Sequence, residues 1–347
     1  MAMLRQGTMT PPEVSVVIPT RNRWSLLSTN ALPSALAQEG VDLEIVVVDD
    51  ASDDYTATGL TKLRDTRIRV LRNEVRRNLP AARNVGAAAA RGAWLAFLDD
   101  DDIWSPSKLR AQLDVAAESG ASWVYGRCIV VDERMRPIEL HPFPDPEDLP
   151  VLLLGGNHVP GGGSNVVVRA EAFRSVGGFD EELRYFEDWD LWLRLVQRTL
   201  PATCPDVVVA RVEHGKNMLF RDGADVHVDF ARLLGKQSRV TDAHRLAVAE
   251  WAAHEHMRAG HTLRASALYA RTALGHRSAG NLVAAVGALF GRRGLAAASS
   301  LLLAARGSTH LEEAARQVPP SLPAWLSSYT SAPTEDAGSE LRAARRM

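Results

Sequence analysis

The sequence predicts an α/β protein with a mixed, mainly parallel sheet, flanking helices and a C-terminal helical appendage. Short β-branched runs alternate with helical stretches over the first hundred positions, and strands separated by helices of roughly 10–15 residues imply β-α-β crossovers in a parallel sheet. Those runs end on polar or acidic residues, and such sheets bind ligands at the carboxyl ends of their strands. From about Ala224 the pattern is helical and Ala-rich through Arg306.

Val14–Ile18 is a continuous apolar run closed by Pro19, as in a strand buried on both faces. A helix is expected from about Trp24 to Gln38, then a second strand over Leu43–Val48 that ends in Asp49-Asp50. Ser52 and Asp53 are suited to cap the next helix, which runs to about Arg64. Ile68–Leu71 is a third strand, Pro80–Arg91 a helix with Pro in its first turn, and Ala93–Leu98 a fourth strand. Pro106–Ser119 reads as a helix and Ser122–Val131 as a strand. Between Pro137 and Gly163 lie six of the 18 prolines and five glycines, which predicts a long irregular surface segment. Strands over Ser164–Val168 and Asp206–Val212 enclose a short helix at Ala170–Val176 and an amphipathic one at Asp188–Arg198. Ser321–Met347, rich in Ser, Pro and Ala, is expected to be partly disordered.

The 347 residues carry 40 Lys+Arg against 42 Asp+Glu, a net charge of −2 that gives no reason to expect nucleic-acid binding. The charge is unevenly shared: residues 1–224 hold 25 basic and 32 acidic side chains, residues 225–347 hold 15 and 10. Cys128 and Cys204 are too few for a disulfide framework or zinc cage and read as core thiols of a cytoplasmic protein. The first residues lack the apolar core of a signal peptide. Arg292 and Arg293 divide the apolar stretch Leu282–Ala305, so no spanning helix is expected.

The strand ends carry the chemistry. Asp99-Asp100-Asp101-Asp102 follows a buried strand, and four adjacent carboxylates need compensating charge. Mg²⁺ or Mn²⁺ takes one or two carboxylates plus substrate phosphates, which suits this run; a solvated acidic turn is the plainer alternative. Asp50 at the neighbouring strand end can accept from a pyrimidine N3–H or a ribose hydroxyl, and Pro19-Thr20-Arg21-Asn22-Arg23 supplies amide, hydroxyl and guanidinium donors for a nucleotide. Arg83 and Asn84 lie on the helix leading to the Asp run. Gly161-Gly162-Gly163 precedes a strand instead of following one, so it is no dinucleotide fingerprint and suits a loop that closes over substrate.

Together VSVVIPTRNR, EIVVVDDASDD, LPAARNVGAAAARGAWLAFLDDDDIWSPSKL and GGFDEELRYFEDWDLWLRL, four motifs in one order, resemble the inverting GT-A-type glycosyltransferases of family 2. The resemblance covers about Val14 to His214 and leaves out the C-terminal third. It implies a GT-A domain over 1–223, with nucleotide-sugar binding at about 14–105 and the acceptor and catalytic part at about 120–215. A helical region over 224–320 and the tail follow. The family's Asp-x-Asp motif falls on Asp99 and Asp101, with Asp101 the direct metal ligand and Asp100 and Asp102 alternatives, and His214 completes the metal site. Pro19, Thr20, Arg21, Asp50, Arg83, Asp99 and Asp100 take the nucleotide; Glu187 and Asp188 are catalytic, with Asp188 the base; Phe179 and Asp180 lie on the acceptor side. The implied cofactor is Mn²⁺ or Mg²⁺ and the donor a nucleoside-diphosphate sugar, UDP-linked. The acceptor is a hydroxyl of a glycan, glycolipid or small molecule in bacterial polysaccharide, cell-wall or glycolipid assembly.

A sugar nucleotidyltransferase would need a Gly-rich triphosphate loop after the first strand, where Pro19–Arg23 has no glycine. A non-catalytic nucleotide-sugar-binding scaffold is the other rival. The C-terminal helices admit two readings, a buried hairpin or a face lying on the inner side of the membrane.

Overall fold

The computed structural model describes residues 11–214, 226–237, 241–258, 260–276, 279–291, 294–295, 297 and 322–329. In chain order the elements begin β1 (Val14–Thr20), α1 (Trp24–Leu26), a π-turn over Leu27–Ala31, α2 (Leu32–Leu36), β2 (Leu43–Asp49) and α3 (Tyr55–Thr61). Then come β3 (Ile68–Arg72), α4 (Leu79–Ala89), β4 (Trp94–Phe97), β5 (Ile103–Trp104), α5 (Lys108–Ser119), β6 (Trp123–Asp132) and β7 (Pro137–Leu140). They continue with α6 (Leu149–Leu152), β8 (Val167–Arg169), α7 (Ala170–Ser175), α8 (Glu187–Val196) and β9 (Ala202–Glu213). Helices α9 (Val226–Gly235), α10 (Asp242–Arg258), α11 (Thr262–His276) and α12 (Ala279–Leu289) follow, and a 3₁₀ turn spans Ala324–Tyr329.

The strands form one mixed sheet in the order β3-β2-β1-β4-β8-β6-β9-β5, with β7 on β6. The long ladders, β1 on β2, β1 on β4, β2 on β3 and β6 on β9, are parallel. The antiparallel pairings of β4 with β8, β5 with β9 and β6 with β8 are short. Alternation along each central strand splits the core into two layers. Val17, Val46, Val48, Leu95 and Phe97 face one side with Phe173, Trp189 and Trp192. Val16, Ile18, Ile45, Val47 and Ala96 face the other with Leu27, Trp104 and Leu109.

Several local expectations are corrected. The helix after β2 is capped by Asp54, whose carboxylate accepts from Thr56 N at 2.8 Å. Ser52 and Asp53 instead bind Asn22: Ser52 Oγ accepts from Asn22 N at 3.0 Å, and Asp53 N donates to Asn22 Oδ1 at 2.9 Å. The stretch 137–163 holds β7 and α6, because Leu149 and Leu153 are fully buried. Residues 322–329, expected in a disordered tail, lie on the far end of the sheet, where Leu326 packs with Ile103, Ile129 and Val212; the rest of that tail is outside the described residues. Helix α9 packs Leu233 into the first core layer, and Asp229 on it accepts from Arg184 N at 2.8 Å and Tyr185 N at 3.0 Å. Helices α10–α12 form a separate small core around Ala253, Tyr269 and Ala285.

Helix α4 carries residues toward the site only because it lies flat on β1 and β2. A Cβ at Gly86 would overlap Val17 Cγ1 and stand 3.1 Å from Val48 Cγ2. Gly86→Ala is therefore expected to lose stability: overpacking costs about 1–3 kcal/mol, of which helix propensity returns about 1 kcal/mol. Gly86→Val should lose more, and urea unfolding of the three proteins checks the order; equal midpoints would mean that the helix is not seated this closely.

Candidate functional site

Three strand ends and the start of α8 meet at one rim. At the first, Pro19 and Thr20 are buried, and Thr20 Oγ1 donates to Asp100 at 2.7 Å. Arg21, next in the chain, keeps a buried Nε with no hydrogen-bond partner. Arg23 donates from one nitrogen to Asp100 Oδ1 and Asp101 Oδ2, both at 2.9 Å. At the second, Asp49 binds Arg72 and accepts from Ser52 N at 2.9 Å. Asp50 accepts from Asn73 Nδ2 at 2.8 Å, Arg77 N at 2.9 Å and Asn78 N at 3.2 Å. Asp50 is thus a buried carboxylate that also organises the segment leading into α4.

The acidic run gives each carboxylate a different environment. Asp99 is a third exposed and paired to Arg83. Asp100 is buried beside Asp101, and burial and that neighbour push its carboxyl up to about 7 despite Arg23. Asp101 also receives His214 Nε2 at 2.9 Å, and despite its burial His214 and Arg23 hold its carboxyl below the usual range. Asp102 accepts from Ser164 Oγ at 2.6 Å and Val212 N at 3.2 Å, yet burial and its acidic neighbours raise it well above the ordinary value. The register of β5 on β9, Ile103 opposite Ala210, brings Val212 and His214 alongside Asp102 and Asp101.

One oxygen from each of Asp99, Asp101 and Asp102 lies within 4.8 Å of the other two. An all-oxygen donor set on two buried carboxylates and one more open one fits a hard divalent cation such as Mg²⁺ or Mn²⁺. The grouping joins Asp99 and Asp101 with Asp102; Asp100 turns to Thr20 and Arg23 instead. His214 touches Asp101 and does not join the grouping among the described residues.

Arg83 ties this run to the Glu-Asp pair. Expected among nucleotide contacts, it is buried inside the domain. One terminal nitrogen donates to Glu187 Oε1 at 2.6 Å and the other pairs with Asp99. Its guanidinium lies 5.2 Å from the centre of the Phe179 ring. Asp99, Glu187 and Asp188 hold the guanidinium charged in spite of its burial. Phe179, expected on the acceptor side, is buried against Phe97 and Phe173, ring centres 4.9 and 5.5 Å away. It walls the arginine. Asp180 pairs with Lys236 beyond α9, which also reaches Asp190 at 2.9 Å.

Glu187 is buried, and its carboxyl is raised to about 7 by burial against the opposing pull of Arg83. Asp188 is the half-buried member of the pair. It accepts from Asn157 Nδ2 at 3.0 Å and Trp189 N at 2.7 Å. A helix N-terminus favours the anion, yet burial raises Asp188 too, which makes its carboxylate a stronger base than an ordinary aspartate.

Two residues of the triple glycine, Gly162 and Gly163, lie against Asp188 and Arg83. Gly161 and Gly162 have φ of 70° and 55°, left-handed values that glycine adopts at little cost. A Cβ at Gly162 would stand 2.7 Å from Asp188 Oδ2, and one at Gly163 3.0 Å from Arg83. These glycines let backbone pass directly beside the carboxylates. Arg23, part of the donor segment Pro19–Arg23 read from the sequence, turns to the acidic run; Asn157 and Ser164, which carried no signal in the sequence, also belong to the site. Asn22, Ala51, Asn78 and Phe186, all non-glycine, have positive φ at this rim, and such strain gathers at functional sites.

Residues 15–177 match Glycosyl transferase family 2, and residues 154–249 match Glycosyltransferase like family 2. The chain is 37% identical over 143 residues to the succinoglycan biosynthesis protein ExoO of Rhizobium meliloti (strain 1021), covering 41% of each. It is 34% identical over 119 residues to the UDP-Glc:alpha-D-GlcNAc-diphosphoundecaprenol beta-1,3-glucosyltransferase WfgD of Escherichia coli, covering 34% of this chain and 47% of that protein. The matched stretches span less than half the length of those relatives. The fold is similar to that of S. aureus TarS 1–349 in its crystal structure with UDP-GlcNAc. The TM-score is 0.50 and the identity 16%, covering 86% of this chain and 93% of that one.

The raised carboxyl of Glu187 sets a pH dependence. Its value moves from an ordinary 4.5 to about 7 on folding, so the folded state binds more protons than the unfolded one between those values. That contribution to stability is complete below pH 4.5 and lost as pH rises through about 7. Glu187→Gln is expected to lose less stability than the wild type across this window, read as melting temperature against pH. Parallel curves would place the titration elsewhere. Arg83→Met, which leaves Asp99 and Glu187 without their cation, should cost about 3–5 kcal/mol in urea unfolding.

Proposed function

Because the chain carries a family 2 glycosyltransferase domain, we propose that it transfers a sugar, with inversion, from a UDP-linked donor to a hydroxyl of a glycan or glycolipid in bacterial polysaccharide assembly. The observation that carries this reading is Arg83 bridging Asp99 and Glu187. It brings the oxygen-rich acidic run, which would take the cation and the diphosphate, beside a carboxylate pair from a distant stretch of chain. The names of the relatives ExoO and WfgD support the polysaccharide and glycolipid setting, and the UDP-GlcNAc of the TarS crystal supports a UDP-sugar.

Position supports the following roles. Pro19, Thr20 and Arg21 flank the nucleoside diphosphate, with the unpartnered Arg21 Nε available to it, and Asp50 takes the base or ribose. Asp99, Asp101 and Asp102 would hold a Mn²⁺ or Mg²⁺ ion, which when bound neutralises the charge that develops on the departing diphosphate. Asp188 accepts the proton of the acceptor hydroxyl as that oxygen attacks the anomeric carbon. Glu187, held by Arg83, keeps α8 and hence Asp188 in place. His214 orients Asp101. Asp180 lies on the acceptor side at the start of the turn before α8.

Thermal shift with UDP-sugars in the presence and absence of Mn²⁺ tests the donor site, since a ligand of the folded state raises apparent stability. A Mn²⁺-dependent rise with at least one UDP-sugar is expected, and none with any nucleotide sugar would overturn the reading. Asp188→Asn should retain that rise and lower UDP release from the same donor by about 10²–10⁴-fold. Undiminished release would remove Asp188 as the base. Asp101→Asn should lose the Mn²⁺-dependent part of the rise.

A further inference from the structure

The acid-free stretch of the C-terminal part plays no role in the site above. From His256 to His310 the sequence holds seven arginines and not one Asp or Glu. Its described portion contains α11 and α12. Helix α12 has no charged residue from Ala279 to Leu289. Its inner face, Asn281, Ala284, Ala285 and Ala288, is buried in the small helical core. Leu282, Val286, Leu289 and Phe290 recur on its outer face at helical spacing and are 56%, 55%, 52% and 75% exposed. Helix α11 packs beside it and exposes Leu263 and Leu274 together with Arg264 and Arg271. Single exposed apolar residues are ordinary, whereas a continuous apolar face marks a contact.

We propose that the outer face of α12, with Arg264 and Arg271 of α11, docks on the surface of an anionic lipid bilayer. The composition matches that of helices lying in the bilayer interface, where apolar side chains enter the acyl boundary and arginines meet the headgroups. Each arginine close to an anionic leaflet is worth about a fivefold gain in partitioning. A second copy of the chain is a poor occupant. A two-fold contact sets the same patch against itself, and α11 and α12 offer arginines but no Asp or Glu of their own to pair with them. No described helix is long and apolar enough to cross a membrane, so the contact is with the surface. The inference does not depend on the transfer reaction.

Vesicle flotation of the full chain tests it. Vesicles containing about one-third phosphatidylglycerol should carry the protein upward, and pure phosphatidylcholine should bind at least about 10-fold less. Roughly 1 M salt, which shortens the screening length to about 3 Å, should weaken the anionic binding. Val286→Glu with Phe290→Glu should lose about 10-fold of the binding to anionic vesicles, and both positions are exposed enough to leave the melting temperature unchanged. Phe290→Ser alone gives a milder form of the same test. Arg264→Gln with Arg271→Gln should reduce the preference for anionic over neutral vesicles. Equal flotation on both vesicle types, or an undiminished double-Glu variant, would overturn the proposal. So would a sedimenting dimer that the double-Glu variant dissociates while neither protein floats.

Discussion

A guanidinium sealed inside the domain is held by carboxylates from two distant parts of the chain. Arg83 meets Asp99 at the end of β4 and Glu187 at the start of α8, with Phe179 beneath it. A cation so deep in the protein is stable only because its partners are charged, and the partners are tolerable there only because of the cation. The three segments that meet at Arg83 therefore have one arrangement. That arrangement sets the acidic run opposite Asp188 and leaves the narrow passage that Gly162 and Gly163 fill.

The acidic run shows how a protein tolerates four adjacent carboxylates. Each aspartate turns to a different counterpart: Asp99 to Arg83, Asp100 to Thr20 and Arg23, Asp101 to Arg23 and His214, Asp102 to Ser164 and the backbone of β9. The compensation is incomplete, because Asp100 and Asp102 remain raised by burial and by their neighbours. A group of carboxylates short of positive charge in this way suits a divalent cation.

Much of the sheet was legible because continuous apolar runs closed by Pro or Asp leave few alternatives. The strands at Val14, Leu43, Ile68 and Trp94 begin within a residue of expectation. The missed elements are those whose reason for existing lies elsewhere in the chain. Two-residue β5 exists only by pairing with β9, and β7 only by pairing with β6. Likewise α6 is a four-residue helix in a Pro-rich stretch, fixed by burying Leu149. Asp54 caps α3 because Asn22 has already claimed Ser52 and Asp53 across the rim, a competition that local propensity does not contain.

The residue order by itself determined that acidic groups would collect at strand ends, since periodicity fixes where each strand stops and a parallel sheet turns those ends to one side. It also placed a helix start at Asp188, one residue after the observed start at Glu187. Only the tertiary structure decided that Arg83 points inward, that Phe179 is a wall, that Gly162 lies against Asp188, and that Asp102 joins Asp99 and Asp101. Those outcomes depend on distances between segments up to about a hundred residues apart. Such distances are set by how helices seat on the sheet and by which buried charge finds which partner.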